Sequence, residues 1–485
     1  MGAITAVVSK NDENVAKTAV TMLKMLKHKS VETFGLASPT TVMIGNSIRY
    51  LQDKEPSSPV LIGHVFSKIL MSDVSQPIEL DNGTLVFAGR IHSLNMEFPR
   101  VEFVAEKLNQ SLGNAETLIK DFEGGFAFAV AESGRLIVGR DCSGVYPLYY
   151  GENADLAALA SERKALWKIG IKEVHSFPPG HTAAVDEHGF KFKFVKALVH
   201  AKTRQITIQA AVKKLRRLLQ QSVKDRVLGL KEVAVAFSGG LDSSLIAFLA
   251  KSFGVGVHLI SVSLKNQPEI EYAKKAAEAL SLPLHIHLYS EKAVEEVLPR
   301  ALWLIEESNP VTTSIGIPVF WTAEKTSKMG FKIMFAGQGA DELFGGYRRY
   351  SNDYVRYGEE FVQKTIFNDI VKMHENNFER DSKICNFHNT ELRLPFATYQ
   401  MAKFAATLPL PLKIEPPNDL LRKTVLRKVA EDIGLPRFIV NKPKRAIQYA
   451  TGVNKVIKKL AKKKGYSTKE YLQEMFQTIF KGIIT

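Results

Sequence analysis

A glycine-rich turn between an apolar strand and a helix is the first place where the sequence could bind an anion. The stretch AVAFSGGLDSS, Ala234–Ser244, reads as a short buried strand, two glycines and the start of a helix. Backbone N–H groups and a helix N-terminus attract oxyanions, and Gly239 and Gly240 allow a close approach. The stretch lacks the lysine of a P-loop and carries Asp242 where an anion would lie. Because a carboxylate binds phosphate oxygens through a cation, the sequence predicts a site that grips pyrophosphate through Mg²⁺.

Two further stretches fit the same chemistry. FAGQGADELFGGY, residues 335–347, follows an apolar strand, so Asp341 is expected at a carboxyl end of the sheet. There it would complete the Mg²⁺ site with Asp242. In NKPKRAIQY, Asn441–Tyr449, Lys444 is expected to reach the charge that develops on the phosphoryl group and the leaving pyrophosphate. The alternative for Lys444 is a surface lysine.

Two different patterns of elements must position these residues. Residues 1–190 are rich in short β-type runs such as TLVFAGRI and GFAFAVAE, and Asp81–Gly83 is predicted to be a hairpin turn. Phe177–Lys196 reads as a closing hairpin, and a charged linker follows at Ala197–Thr207. From Ile208 onward, strands and helices alternate, which predicts a parallel, doubly wound sheet. After about Tyr347, the pattern is mostly helical.

Composition limits the function classes. The chain has 485 residues, 45% of them hydrophobic, and its two cysteines form no disulfide framework or metal motif. No apolar run reaches the length of a membrane span and no secretory signal is present, so a cytoplasmic protein is expected. Part of the net charge of +15 lies in Lys442–Arg445 and Lys458–Gly465. A solvated surface explains this charge better than a nucleic-acid site, because no recognition motif accompanies it.

Together these motifs resemble the asparagine synthetase family. SGGLDSS, GQGADELFGGY, ELRLPF (Glu391–Phe396) and the K-P-K segment stand in the family's order and spacing. FEGGFAFAV (Phe122–Val130) and GRDCSGVYPLYY (Gly139–Tyr150) resemble its glutaminase domain. The resemblance implies an α/β protein with two domains. An αββα sandwich of the N-terminal nucleophile (Ntn) hydrolase type would span residues 1–195. A doubly wound, parallel α/β ATP-pyrophosphatase domain with a helical C-terminal part would span residues 208–485.

The resemblance also implies a carbon–nitrogen ligase that uses ATP and Mg²⁺ and releases AMP and pyrophosphate. Its partners would be a carboxylic acid, with aspartate expected, and ammonia or another amine. Mg²⁺ would be held by Asp242 and Asp341, and Lys444 would steady the phosphates. The positions that the resemblance assigns to ATP binding are Phe237, Ser238, Gly239, Gly240, Asp242, Ser243, Val262, Ala336 and Gly337.

Three positions depart from the family's glutaminase pattern. Residue 2 is glycine where the family carries its cysteine nucleophile, and Phe66 stands where an arginine binds the glutamine carboxylate. Ala88 replaces the asparagine of the oxyanion segment. Losing one oxyanion donor costs about 10²–10³ in rate. We therefore predict that this domain does not hydrolyse glutamine and that it has a structural or sensing role.

The synthetase half departs at Gln338. The family usually has glutamate there, which handles the proton of the nitrogen nucleophile, and β-lactam synthetases carry tyrosine. An amide is not a general base at neutral pH. Glu307 and its neighbour Glu306 are candidates to replace that base, and either is equally explained as a charge on a helix surface.

Four functions therefore stay open. The first is an ammonia-dependent ligase that converts aspartate to asparagine, and the second is a β-lactam-synthetase-like ligase that adenylates another acid. The third is an ATP-binding regulatory relative without synthetase activity, and retention of Asp242, Asp341 and Lys444 argues against it. The fourth is a tRNA-modifying pyrophosphatase, which ranks last because such enzymes lack the N-terminal half. The sequence leaves a homodimer open and predicts no membrane or nucleic-acid partner.

Overall fold

Three β-sheets organise the chain in the computed structural model, which describes residues 2–26, 30–54, 56–92, 101–110, 115–415 and 421–484. Two of the sheets are antiparallel and lie within residues 2–194, called the N-terminal sandwich below. The third is parallel and lies within residues 232–393. The strands are β1 (Gly2–Ser9), β2 (Thr33–Ala37), β3 (Val42–Gly45), β4 (Val60–Phe66), β5 (Ile78–Leu80), β6 (Gly83–Ile91), β7 (Gly124–Glu132), β8 (Arg135–Arg140), β9 (Tyr149–Glu152), β10 (Leu156–Ala160), β11 (His175–Ser176), β12 (His181–Asp186), β13 (Gly189–Phe194), β14 (Glu232–Ala236), β15 (Gly256–Leu264), β16 (Leu284–Tyr289), β17 (Ile333–Phe335) and β18 (Glu391–Arg393).

Helices cover the outer faces of the sandwich and both faces of the parallel sheet. They are α1 (Ala16–Met25), α2 (Ile48–Asp53), α3 (Val101–Gln110), α4 (Glu116–Asp121), α5 (Arg163–Trp167), α6 (Ile208–Val227), α7 (Leu241–Ser252), α8 (Glu269–Leu280), α9 (Glu291–Ile305), α10 (Pro310–Lys328), α11 (Ala340–Phe344), α12 (Arg348–Val371), α13 (Glu379–Phe387), α14 (Tyr399–Ala406), α15 (Thr424–Asp432), α16 (Arg437–Val440), α17 (Ile447–Ala450), α18 (Val453–Lys463) and α19 (Thr468–Ile479). A π-helical turn at His374–Phe378 leads into α13, and a 3-10 turn lies at Leu410–Leu412. No helix among the described residues is long and apolar enough to cross a membrane.

The N-terminal sandwich has four layers because its strands alternate apolar side chains between two faces. On β1, Ala3 and Val7 pack under α1 and α5, whereas Ile4, Ala6 and Val8 enter the core between the two sheets. The strand orders are β11-β9-β10-β1-β4-β2-β3 and β13-β12-β8-β7-β6-β5. The predicted αββα arrangement is therefore confirmed.

The second sheet shows the same alternation, with large side chains on one face and small side chains on the other. In β7, Phe126 and Phe128 face α3 and α4, while Ala127 and Ala129 face the other sheet. The hairpin predicted at Asp81–Gly83 joins β5 to β6, and the predicted closing hairpin is β12–β13. These local predictions succeed because a period of two and a turn dipeptide are both encoded within a few residues.

The parallel sheet runs β16-β15-β14-β17-β18, so its strand order reverses between β14 and β17. In a doubly wound sheet, the loops at such a reversal diverge to opposite faces and leave a crevice at the carboxyl ends. The two loops with the predicted phosphate chemistry follow β14 and β17 directly. The predicted doubly wound sheet is confirmed, and the chain beyond Tyr347 is mostly helical, as expected. Residues 195–207, at the predicted linker, contain neither helix nor strand.

Candidate active site

The loop after β14 presents backbone N–H groups at the start of α7. Phe237 continues the strand and donates its N–H to the carbonyl of Ile260 at 2.8 Å. Gly239 then adopts a φ of +68°, which favours glycine, and Gly240 caps α7 without any side-chain hydrogen bond. Because no side chain caps this helix, its first N–H groups point to a ligand position. The hydroxyl of Ser243 lies 3.4 Å from both the N–H and the hydroxyl of Ser238.

The loop after β17 lies against the first loop. A Cβ atom built on Gly337 would lie only 2.8 Å from Cβ of Asp242, so the absence of a side chain at Gly337 allows the two loops to meet. Gly346 has a similar role, since a Cβ atom there would lie 2.0 Å from Oδ1 of Asp341. The structure therefore brings the two motifs together, and their binding of one ligand stays a prediction.

The two aspartates converge on one lysine that the sequence analysis did not identify. Nζ of Lys423 lies 2.8 Å from Oδ1 and 2.7 Å from Oδ2 of Asp242, and 2.6 Å from Oδ1 of Asp341. The Lys423 side chain is 3% exposed, and its backbone has a φ of +59°. A non-glycine residue in this region is uncommon and marks a position that the surrounding structure enforces.

Lys444 contacts the same carboxylate from the other side. Its Nζ atom donates a short hydrogen bond to Oδ2 of Asp341. Burial alone would raise the pKa of Asp341, but Lys423 and Lys444 outweigh burial and hold that pKa well below its usual value. Burial would lower the pKa of Lys444, and Asp341 reverses this effect and raises it above its usual value. The interpretation of Lys444 as an isolated surface lysine is therefore wrong.

The aspartates fit the Mg²⁺ ion that the fold implies. Their oxygens already converge within 2.8 Å of a single cationic nitrogen, and carboxylate oxygens are the donors that Mg²⁺ prefers. The structure shows no group of three or more metal-binding side chains among its described residues. Two carboxylates are sufficient where substrate phosphates supply further oxygens. Asp242 and Asp341 would hold the ion, and Lys423 marks its approximate position.

The segment that carries Lys444 lies over the β14–α7 loop. Nζ of Lys442 lies 3.4 Å from the carbonyl oxygen of Ser238 and 3.4 Å from the ring centroid of Tyr272. Burial lowers the pKa of Lys442 to about 8. Arg445 forms an ion pair with Glu269. Part of the positive charge in Lys442–Arg445 is therefore placed at this site.

One buried arginine joins the two segments that carry the lysines. Arg427, on α15, donates to the carbonyl oxygens of Leu421 and Arg422, which directly precede Lys423. It also donates to the carbonyls of Val440 and Lys442, which precede Lys444. A planar guanidinium can bridge several acceptors in a fixed arrangement, which an ammonium group cannot do. Arg427 therefore fixes the spacing between the two lysines.

Gln338 contacts a carboxylate that was not predicted. Its Nε2 atom donates to Oδ2 of Asp381 at 2.6 Å. No hydrogen bond or ion pair joins Glu307 to Gln338 within the described residues. Glu306 is 3% exposed and accepts hydrogen bonds from Lys383 and from the backbone of α5. The idea that Glu306 replaces the missing base is wrong, because its carboxylate is already bound between the two halves of the chain.

Gly2, which stands at the expected nucleophile position, is closely packed against β4. Gly2 pairs with Phe66 across β1 and β4, and a Cβ atom on Gly2 would lie 2.1 Å from the carbonyl oxygen of Val65. The ring of His64 would lie 2.5 Å from this Cβ atom, and the Tyr146 hydroxyl donates a hydrogen bond to the Gly2 carbonyl. Ala88 lies in the core between the two sheets of the sandwich. The remaining residues predicted to bind ATP lie in the parallel sheet, with Val262 on β15 and Ala336 directly after β17.

The chain is similar to known proteins. The family model described as asparagine synthase matches residues 214–360 and 354–479, and the one described as a glutamine amidotransferase domain matches residues 100–168. The protein "Putative asparagine synthetase (glutamine-hydrolyzing) 1" of Methanocaldococcus jannaschii is 30% identical, with all of both chains covered. An asparagine synthetase (glutamine-hydrolyzing) of Triphysaria versicolor is 27% identical over 70% of this chain and 59% of its own. A glutamine phosphoribosylpyrophosphate amidotransferase from B. subtilis superposes with a TM-score of 0.35 and 16% identity, covering 59% of this chain and 65% of its own.

Proposed function

The chain belongs to the asparagine synthase family, and we propose that it is an ATP-dependent ligase that adenylates aspartate and transfers it to ammonia rather than to glutamine-derived nitrogen. The observation that carries the proposal is the convergence of Asp242 and Asp341 on one cation position beside an uncapped helix N-terminus. The domains would be those expected from the sequence, residues 1–195 and 208–485.

The first half-reaction activates the acid. A carboxylate oxygen of aspartate attacks the α-phosphorus of ATP, the bond from that phosphorus to the pyrophosphate oxygen breaks, and an acyl-adenylate forms. The N-terminus of α7 and the backbone of Gly239 and Gly240 would bind phosphate oxygens. Mg²⁺, when bound to Asp242 and Asp341, would neutralise charge on the triphosphate.

The lysines would change partners when the nucleotide binds. Lys423 and Lys444 now neutralise the two aspartates. With Asp242 and Asp341 holding Mg²⁺, Lys423 and Lys444 would be free to contact the phosphates and the leaving pyrophosphate. Positive groups held where negative charge develops lower the barrier without reorganisation during the reaction. Lys442, which is beside Ser238, would add a third positive charge.

The second half-reaction forms the amide bond. The nitrogen of ammonia attacks the acyl carbon, the bond to the AMP oxygen breaks, and one N–H proton is lost to solvent. The Gly2 position supports ammonia as the donor, because neither a thiol nor a Cβ atom fits beside Val65. Phe66 and Ala88 supply neither the arginine nor the amide donor that glutamine hydrolysis uses.

A second candidate substrate is favoured by Gln338. An amide at this position, bound to Asp381, differs from the glutamate usual in the family, so the acid or the amine could differ too. The second candidate is a β-lactam-synthetase-like ligase that adenylates another carboxylic acid. The experiment that separates the two is acid-dependent ATP–pyrophosphate exchange, followed by amide formation with ammonium. Exchange with aspartate supports the first candidate, exchange only with other acids supports the second, and ATP binding without exchange contradicts both.

A further inference from the structure

Helix α13 is short, polar and buried. Its first five residues, Glu379–Lys383, are all charged or hydroxyl-bearing, and none is more than 3% exposed. Burying such groups costs several kcal/mol each unless they are paired and hydrogen-bonded. The partners of these residues therefore indicate why the helix lies there.

Three of the five residues attach α13 to the N-terminal sandwich. Two of them hydrogen-bond to the sandwich directly, and the third is joined to it through a shared partner. Oε1 of Glu379 accepts from Arg140 at 3.1 Å and from Ser176 at 2.5 Å. The hydroxyl of Ser382 donates to the carbonyl of Val145 at 2.8 Å. Burial opposes the charge on Glu379, but Arg140, His374, Arg163 and the Ser176 hydrogen bond together outweigh burial and hold the pKa of Glu379 below its usual value.

The third attachment passes through Glu306. Nζ of Lys383 donates to Oε2 of Glu306 at 2.8 Å, and the two carboxylate oxygens of Glu306 accept the backbone N–H groups of Arg163 and Lys164 at 3.0 and 2.9 Å. These N–H groups begin α5 of the sandwich, where a carboxylate is favourably placed. Helix α13 is thus fixed to the sandwich at three points within five residues.

Helix α13 also binds Gln338, through its residue Asp381. The Asp381 carboxylate accepts from Nε2 of Gln338 at 2.6 Å and from Nε of Arg380 at 2.7 Å. An ionised carboxylate only accepts hydrogen bonds, so the NH₂ group of Gln338 must point to it. The Gln338 oxygen then points away from Asp381 and is oriented as an acceptor. Gln338 directly follows Gly337, where a built Cβ atom would lie 2.8 Å from Cβ of Asp242 in the proposed ATP site.

From these contacts we propose that the N-terminal sandwich positions α13, and through Asp381 the amide oxygen of Gln338, to receive an N–H group of the incoming nitrogen nucleophile. This inference rests on the proposed ligase function and extends it. The sandwich then contributes to amide formation, although it lacks the glutaminase residues. Asp381 and Glu379 are positioning residues that act through Gln338. Adenylation, which uses the β14–α7 loop and the lysines, does not depend on them.

The test separates the two half-reactions in the full-length chain. The variant Glu379→Gln keeps the size of the side chain and removes the charge that pairs with Arg140. We expect ATP–pyrophosphate exchange with aspartate to stay within about twofold. We expect ammonium-dependent amide formation to fall about 10- to 100-fold, with a higher KM for ammonium, because small misplacements of a positioning group have effects of this size. Asp381→Asn should give the same split, and Glu379→Asp should recover part of the loss.

A matched control removes another buried ion pair between the two halves of the chain. Arg90 donates to Asp73 and to Glu391, and among the described residues no hydrogen bond or ion pair joins it to α13. Arg90→Gln should lower the melting temperature without changing the ratio of amide formation to exchange. Equal loss of both half-reactions in Glu379→Gln, or loss of neither, would overturn the proposal.

A crystal structure of Glu379→Gln tests the inference without any assay. The proposal predicts that Nε2 of Gln338 and Oδ2 of Asp381 separate beyond hydrogen-bond distance, and an unchanged pair overturns it. If the wild-type chain shows no exchange with any acid, the proposed function fails, while this structural result still decides whether the sandwich positions Gln338.

Discussion

Nζ of Lys423 lies 2.6 Å from Oδ1 of Asp341, one of the two carboxylates that are proposed to hold Mg²⁺. The same ammonium group contacts Asp242 at 2.7 Å. The protein without ligand therefore satisfies its two aspartates internally. Under the proposed function, Mg²⁺ would compete with Lys423 for the oxygens of Asp242 and Asp341.

This competition predicts opposite effects of Lys423→Ala on metal binding and on catalysis. Without the lysine, the nucleotide-free protein should bind Mn²⁺, used as a probe for Mg²⁺, about tenfold more tightly, because a nearby positive charge opposes a second one. Exchange of pyrophosphate into ATP should fall by about 10²-fold, because the positive charge of Lys423, which is proposed to contact the phosphates, is lost. Titration followed by electron paramagnetic resonance measures the first effect, and radiolabelled exchange measures the second.

The control is Lys428→Ala, on the helix α15 that begins directly after Lys423, with a side chain that is 55% exposed. It should change neither quantity. Weaker Mn²⁺ binding in Lys423→Ala would contradict the competition.

Arg427→Lys is predicted to raise the KM for ATP about tenfold while leaving the KM for the acid unchanged, since lysine cannot bridge the two segments that carry Lys423 and Lys444. Steady-state exchange at varied ATP and varied acid measures both constants. In a Lys423→Ala background, the same change should have a smaller further effect, because only the contribution through Lys444 is then left to lose. Arg226→Lys is the matched control: Arg226 is also buried, but it hydrogen-bonds within α6. If both arginine variants raised the KM for ATP equally, a specific role of Arg427 would be excluded.

Gly2→Cys is predicted not to restore glutamine hydrolysis. The new Cβ atom would lie 2.1 Å from the Val65 carbonyl oxygen and would have to displace β4 or the His64 ring. Overpacking of this kind costs about 1–3 kcal/mol, so the free energy of unfolding should fall by that amount. Glutamate release and urea unfolding measure the two effects. Substantial glutamate release by this variant would show that the pocket is intact and that only the nucleophile is missing.

The pH dependence of stability is predicted to include a contribution from His64. This side chain is fully buried, and neither of its ring nitrogens has a hydrogen-bond partner in the described part of the chain. Burial lowers the pKa of His64 from 6.5 to about 3. The unfolded state therefore binds more protons between these values, so stability is complete above pH 6.5 and decreases as the pH falls.

The expected slope from His64 is about 1.4 kcal/mol per pH unit between pH 6 and 4. His64→Leu should remove it, which urea unfolding at several pH values would show as a flatter curve than that of the wild type. Parallel curves for the two proteins would mean that His64 is not held neutral in the folded state.

The sequence was sufficient for features that a short segment encodes. The strand, two glycines and aspartate of the β14–α7 loop identified half of the site, and parallel topology placed Asp341 beside it. Both depend on local spacing and on the general geometry of doubly wound sheets.

Features that depend on tertiary packing were missed. Lys423 and Arg427 lie in LLRKTVLRKV, which reads as a solvated amphipathic helix, and nothing in its spacing shows that both cations are buried. Glu379–Lys383 reads as a surface helix for the same reason, although it is buried by partners such as Arg140 from distant segments. Glu306 was identified as a candidate, but only its contact with α5 reveals its structural role.

We propose above all that Asp242 and Asp341 together hold the cation that makes the triphosphate reactive towards an acid. The most direct measurement is aspartate-dependent ATP–pyrophosphate exchange in the wild type and in Asp341→Ala, with melting temperatures to confirm folding. We predict exchange in the wild type and none above background in folded Asp341→Ala. Exchange by Asp341→Ala at the wild-type rate would contradict it.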